Sequence, residues 1–314
     1  MEVKLDKWHK CQIDIKVLKE LSTKSDLKGL QHVSVFFGLL IISGLLAYQT
    51  WGTWWSAFWF LIYGNIYCFS NPLWHETGHK TAFKSKFLNE FFYYISSYLA
   101  NFEPIRWRYT HFVHHGNTYS TENPFDYEIE YGNNLKETPK NLLINLIPFM
   151  ELVFFKRSVA YEIILHALGI KTKVMQNGIP ETAHAKAIYY SRVYVAIWLA
   201  IILWSILSAS WLPVLLFLLP KYYGRTLHKL VSFTQHAGLA RNIKDHRLTT
   251  REVYLNPILS FLYWKMEYHL THHMFPTVPS YNLDKLHHQI KDQLPRTNEG
   301  LIDAYKEILS LIHI

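Results

Sequence analysis

Residues 29–75 carry no Asp, Glu, Lys or Arg, a run of 47 positions. A helix crosses a bilayer with about 20 apolar residues. The run therefore predicts two spans, 30–48 and 52–70, joined by Gln49, Thr50, Trp51 and Gly52. Trp51, Trp54 and Trp55 gather at that turn, as aromatic residues do at a membrane–water interface. The competing reading is a core hairpin of a soluble protein, but core helices seldom run so long without charge. A second uncharged run, 193–220, has 28 residues, too many for one untilted span and too few for two complete ones. Ser208, Ala209 and Ser210, followed by Trp211 and Pro213, read as a turn. Helices over 186–208 and 211–231 follow, the second with Lys221, Arg225 and Lys229 in its inner part.

Segments 83–102 and 141–170 are apolar but shorter or interrupted, and predict helices on the membrane surface or under a cap. Pro104, 117–124 and 133–139 mark loops, and strand signals are sparse. The expected fold is an all-α integral membrane protein, with four transmembrane helices in two hairpins and a helical cytoplasmic cap. It divides into an N-terminal segment 1–29, hairpin 30–70, cap part 71–185, hairpin 186–231 and cap part 232–314.

Composition changes this picture only in part. Half of the 314 residues are hydrophobic, which excludes a disordered chain. Two cysteines, Cys11 and Cys68, exclude a disulfide scaffold and a four-thiolate cluster. The net charge of +8 takes its meaning from its distribution. The two turns between spans lack Lys and Arg, while Lys4, Lys7, Lys10, Lys16, Lys19, Lys24 and Lys28 crowd the N-terminal segment. By the positive-inside rule the N-terminus, the middle and the C-terminus face the cytoplasm of a multi-pass protein. The first 28 residues have no apolar stretch of the kind that marks a secretory signal. The basic excess then reports anionic lipid, and no nucleic-acid partner is expected.

Nine of the 18 histidines fall in four places. His75 and His79 form HxxxH. His111, His114 and His115 form HxxHH, and His269, His272 and His273 form it again. His236 stands alone in Thr234-Gln235-His236-Ala237-Gly238. On a helix, positions i, i+3 and i+4 share a face, so each box aims its imidazoles at one spot. Random placement gives about one HxxxH but only about 0.06 HxxHH in such a chain, so the repeated HxxHH carries the weight. All nine would reach one membrane face if the four spans are as drawn.

Nine imidazoles exceed the four ligands of one zinc ion and suit two ions. Imidazole serves iron, zinc, copper and nickel alike. Carboxylates should hold some of the ring N–H groups, and Glu76, Glu103, Asp126, Glu128, Asp245 and Glu267 are candidates. His9, His32, His166, His184 and His313 read as ordinary surface or core residues, while His228, His246, His287 and His288 are open. The alternative is the HExxH site of an intramembrane zinc metalloprotease, with Glu76 as general base. That reading leaves both HxxHH boxes without a role. A metal transporter would want ionisable residues within the spans, and 30–70 has none.

The boxes HETGH, HFVHH, QHAG and HLTHH, in this order, with one expected hairpin before the first box and another before His236, resemble the integral-membrane fatty-acid desaturase and hydroxylase superfamily. NPLWHETGHKTAF, NIKDHRLTTREVYLNP and YWKMEYHLTHHMFPTVPSYNLDKLH are similar to a bacterial branch of desaturase-like hydrocarbon oxygenases, including the rhizopine-catabolism type. The resemblance implies two iron ions (Fe2+) on the cytoplasmic side of the cell membrane, O2 as co-substrate and an external electron donor. It implies metal-ligand roles for His75, His79, His111, His114, His115, His236, His269, His272 and His273. Ser232 stands where many members carry Asn, and the first box has three residues between its histidines where many have four.

Oxidation of an unactivated C–H is metal chemistry, because such a bond offers a side chain no charge to polarise. Loss of a second hydrogen gives an alkene and oxygen rebound an alcohol. The chain has no Gly-x-Gly-x-x-Gly. A separate ferredoxin, or a cytochrome with its reductase, is therefore expected, drawn to basic residues such as Arg106, Arg108 and Arg247. A lipid or hydrocarbon-like substrate would lie in an apolar channel between helices.

Overall fold

The computed structural model describes residues 7–129 and 146–312. Among these every regular element is a helix, and the one β contact is an isolated bridge between Val253 and Asn298. A short α1, Ile15–Leu21, is capped by Asp14, whose side chain accepts the N–H groups of Lys16 and Val17. α2, Asp26–Gln49, begins ahead of the expected 30 because its cap lies in the charged segment: Ser25 accepts the Lys28 N–H, and Asp26 faces the positive helix terminus. Its 24 residues reach about 36 Å, more than the hydrocarbon core of a bilayer. Gly29, Val33, Phe36, Leu40, Ser43 and Ala47 form its buried stripe. Val35, Ile41, Ile42 and Leu45 on its other faces are exposed.

Gly52, at φ +84°, turns the chain into α3, Trp54–Cys68. The expected span 52–70 is divided. α3 stops at Cys68 and the chain resumes as α4, Ser70–Gly78. Pro72 explains the division, because its ring cannot tolerate the carbonyl four residues earlier, that of Cys68. α5, Lys86–Ala100, packs on α4 and ends at Asn101 in the left-handed conformation. α6, Pro104–Gly116, has Pro at its first position and Glu103 as cap.

Within 146–178 lie α7, Met150–Val153, α8, Val159–Ala167, and α9, Lys173–Gly178. The expected loop 133–139 and residues 141–145 lie outside the described residues. α10, Glu181–Leu207, is the second long apolar helix. α2 and α10 are the two described helices long and apolar enough to cross a membrane, and only 28 % and 11 % of their apolar windows are buried. The core helix of a soluble protein would be mostly buried.

The single helix expected over 211–231 is not formed. α11, Leu212–Phe217, α12, Pro220–Tyr223, and α13, Thr226–Ser232, take its place. Pro220 lacks the N–H a continuous helix needs and biases Leu219 against helical geometry. Gly224 gives a second reason. A Cβ there would lie 1.9 Å from the Gly64 carbonyl carbon, so the returning backbone rests directly on α3. Tyr63 Oη ties the same seam by donating to Leu216 O at 2.7 Å.

α14, His246–Thr249, α15, Pro257–Leu262, α16, His269–Met274, α17, Leu283–Ile290, and α18, Leu301–Ile312, complete the order. The largest core cluster joins Phe36 of α2, Phe69 and Leu73 at α4, Trp264, and Leu270 and Met274 of α16. The helices that carry the first and third histidine boxes therefore share one close-packed interior.

Candidate metal centre

Each box lies where its helix faces that interior. α4 carries His75 and ends on His79, α6 carries His111, His114 and His115, and α16 carries His269, His272 and His273. His236 follows the 3-10 turn Phe233–Gln235. All nine histidines expected at the metals come together in two groups: His75, His79, His111, His115 and His272, and His114, His236, His269 and His273. The groups adjoin, since the His115 ring stacks on His273 at 4.3 Å.

The Nε2 atoms point at one another. His75 and His272 approach to 2.7 Å, His79 and His111 to 2.7 Å, and His79 and His272 to 3.2 Å. In the second group His236 and His269, and His269 and His273, each lie 3.1 Å apart. Ligands at right angles around an ion with bonds of about 2.1 Å would be separated by about 3.0 Å. Both ring nitrogens of His115 are buried without a hydrogen-bond partner. These donor sets suit one cation in each group.

The outer nitrogens are held. His111 Nδ1 lies 2.9 Å from Glu128 Oε2, and His114 Nδ1 lies 2.8 Å from Asp126 Oδ2. His236 Nδ1 donates to Thr249 O at 2.8 Å, and His273 Nδ1 meets Thr118 Oγ1 at 3.2 Å. Such contacts fix the tautomer and leave the Nε2 lone pair free for a metal. Burial, then the neighbouring imidazoles, lowers the pKa of His75, His79, His115, His269, His272 and His273, which keeps them in the neutral, ligating form. Burial raises the Asp126 carboxyl, but His114 and the N–H groups of Tyr119 and Glu128 outweigh it and hold it below its ordinary value.

The candidate carboxylates divide. Asp126 and Glu128 sit beside imidazoles, and the other four do not. Glu76 Oε1 accepts the Ser280 N–H at 3.0 Å, and burial pushes its carboxyl up to about 7. Glu103 caps α6, Asp245 caps α14 and chelates Arg247, and Glu267 accepts from Ser260. Glu76 is thus turned from the His75 and His79 nitrogens, where a metalloprotease would need its base.

The basic residues expected to meet an electron carrier are also engaged. Arg106 pairs with Glu162 at 2.8 Å, Arg108 with Glu90 at 2.9 Å and Arg247 with Asp245 at 2.7 Å. His32, His166 and His184 bond Phe261 O, Thr172 Oγ1 and Ile179 O, as ordinary residues do. His313 lies outside the described residues.

Trp8, Arg251 and Glu252 escape the sequence reading, which leaves His246 open. Trp8 lies flat on His246, with centroids 4.0 Å apart, and donates its Nε1–H to Gly116 O beside His115. His246 in turn lies 5.0 Å from His273. Glu252 accepts the Thr271 N–H within α16, and its Oε2 lies 2.7 Å from His287 Nδ1. Arg251 donates to Thr234 O and Ala237 O on either side of the His236 turn. The pairs Asp245-His246 and Arg251-Glu252, polar residues in a stretch that folds inward, were the only available signal.

A cavity of about 530 Å³ opens onto both groups, bounded by His75, His114, His236 and His269. Its walls are not uniformly apolar, as the expected channel was. Aromatic Trp74, Phe102 and Trp107 share them with Asn71, Gln235 and charged residues.

Comparison with curated proteins finds no match. A sequence model described as fatty acid desaturase matches residues 49–304, well over half of the chain, and the chain belongs to the fatty acid desaturase family.

Proposed function

We propose that the chain is a membrane di-iron oxidoreductase that uses O2 and external electrons to desaturate or hydroxylate an aliphatic C–H of a lipid or hydrocarbon-like substrate. The observation that carries this reading is the pair of adjoining all-imidazole groups with inward-facing Nε2 atoms. Membership of the family makes the chain an oxidoreductase. Family members are membrane-bound di-iron enzymes that use lipid substrates and electron donors.

The nine histidines would be the ligands, five to one ion and four to the other. Bound iron supplies the oxidising power that no side chain has for an unactivated C–H. The chain's own residues orient and exclude. Asp126, Glu128, Thr249 and Thr118 keep the imidazoles in register. The Trp74, Phe102 and Trp107 surface holds an aliphatic segment against His75 and keeps water from it. The stack of Trp8 on His246 closes another side of the site.

Four segments would lie in the membrane: α2 with α3, and α10 with the α11–α12 return. The seam of Gly64 on Gly224 supports their pairing. The lysine-rich N-terminal segment then puts the imidazole groups on the cytoplasmic side of a bacterial cell membrane. Electrons would come from a ferredoxin, or from a cytochrome with its reductase. The test is product analysis: iron-loaded protein, a reducing carrier, O2 and candidate lipids, read by mass spectrometry. A product short of two hydrogens, or one carrying one added oxygen, supports the reading. Peptide cleavage with no change in lipid would overturn it.

A further inference from the structure

The two imidazole groups differ in their access to solvent. His114, His236, His269 and His273 are all buried, whereas in the five-histidine group His79 and His115 are only half-buried. Their rings stand 4.5 Å apart, so one opening serves both. Exposed Lys80 follows His79, and exposed Gly116 follows His115. Phe112, 58 % exposed, lies on the same face of α6 as His115 and Gly116. Solvent meets the edge of the His115 ring, since both of its nitrogens are buried. The opening is distinct from the cavity, whose lining includes His75, His114, His236 and His269 but neither His79 nor His115. On the cavity side these four imidazoles are at most 8 % exposed.

The four-histidine group is closed off by the segment ahead of α1. Trp8 is half-buried and lies parallel to the His246 ring within 6°. His246 in turn backs His273, with centroids 5.0 Å apart. The Trp8 Nε1–H donates to Gly116 O at 2.9 Å, at the rim of the opening beside His115. The His9 N–H donates to Lys244 O at 3.1 Å. Gln12 and Gln293 exchange two hydrogen bonds, at 2.7 and 2.8 Å. The Trp8 and Gln12 bonds are exposed to solvent. A segment held by a few exposed hydrogen bonds opens at far lower cost than the whole fold.

We propose that the two bound cations are kinetically unequal, and that the segment at Trp8 is the latch that makes them so. The ion of the five-histidine group exchanges with aqueous solvent past His79 and His115. The ion of the four-histidine group exchanges only when Trp8 lifts off His246. The difference is one of access. A half-buried imidazole can swing its edge into solvent and release its ion, whereas a ring packed beneath His246 must wait for the segment to open. The inference rests on the reading of one cation in each group, and not on the reaction that those cations serve.

The test is metal release from the full chain in phosphatidylcholine nanodiscs, loaded anaerobically with Fe2+ and mixed with excess ferrozine, a water-soluble chelator whose iron complex is coloured. The unaltered chain is expected to give two phases of one iron each, with rates about tenfold or more apart. His272→Ala, which removes a ligand of the five-histidine group, should keep only the slow phase. Trp8→Ala should speed the slow phase about tenfold and leave the fast phase unchanged. Trp8→Phe, which keeps a ring on His246, should stay near the unaltered chain. A general loss of stability would move both phases together, so a change confined to the slow phase separates a latch from a merely structural residue. Two irons released in a single phase, a slow phase unaltered in Trp8→Ala, or only the fast phase surviving in His272→Ala would overturn the latch. The two phases of the unaltered chain need no variant to fold. A sample that holds one iron from the outset would overturn the reading of two cations, and the latch with it.

Discussion

The Nε2 atoms of His75 and His272 stand 2.7 Å apart although 197 residues separate them in the chain. Two neutral imidazoles facing in this way share either a proton or a cation, and His79 and His111 repeat the relationship beside them. Nine clustered imidazoles, seven of them buried, would without a cation leave lone pairs opposed at close range. A bound ion also stabilises the folded state by its own binding free energy. Removal of metal by a chelator should therefore lower the unfolding temperature by several degrees, and re-addition of Fe2+ should restore it. Fluorescence-detected unfolding in nanodiscs checks this, and an unchanged midpoint would count against ions in these groups.

The carboxylates separate into two classes by what they touch. Asp126→Asn and Glu128→Gln disturb the acceptors of His114 and His111, and each should weaken metal binding about 10- to 100-fold. Glu76→Gln keeps an acceptor for the Ser280 N–H and should leave metal content unchanged. Metal titration of the three variants decides. A loss confined to Glu76→Gln would favour the metalloprotease arrangement.

The histidine boxes were legible because HxxHH on a helix is a local pattern, but the expectation that each box aims at one spot was wrong: His111 and His115 join one group and His114 the other, and His272 joins one group while His269 and His273 join the other. The long apolar helices α2 and α10 were legible for the same reason. The broken return over 212–232 was not, because the contact of Gly224 with Gly64 exists only once two distant segments meet. The allotment of carboxylates failed likewise. Glu76 and Asp126 look alike in sequence, and only the fold turns one to Ser280 and the other to His114.

Arg251 is expected to govern the His236 turn. Its side chain, bonded to Thr234 O, Ala237 O and Glu307, ties that turn to α18. Arg251→Gln should cost about 2 kcal/mol through the lost charged hydrogen bonds and lower metal occupancy of the four-histidine group. Burial raises the Glu307 carboxyl, but Arg251 and Asn298 bring it below its ordinary 4.5. The pair's contribution is then present above pH 4.5 and is lost as pH falls through the lower folded value. Acid unfolding monitored across that window should lose this component in the variant. An identical pH profile would contradict the role.

Gly224→Ala tests the seam between the hairpins. The new Cβ would meet the Gly64 backbone, which cannot move aside as a flexible side chain could. Destabilisation of about 1–3 kcal/mol or more is expected, whereas Gly38→Ala, with open space around it, should be tolerated. Equal thermal stability of the two variants would contradict the contact.

Iron stoichiometry tests the central claim most directly. Protein loaded anaerobically with Fe2+, freed of excess metal and analysed by mass spectrometry of its metals should hold two irons per chain. His272→Ala should lose the iron of the five-histidine group. One zinc per chain, or two irons retained in full by His272→Ala, would contradict the account.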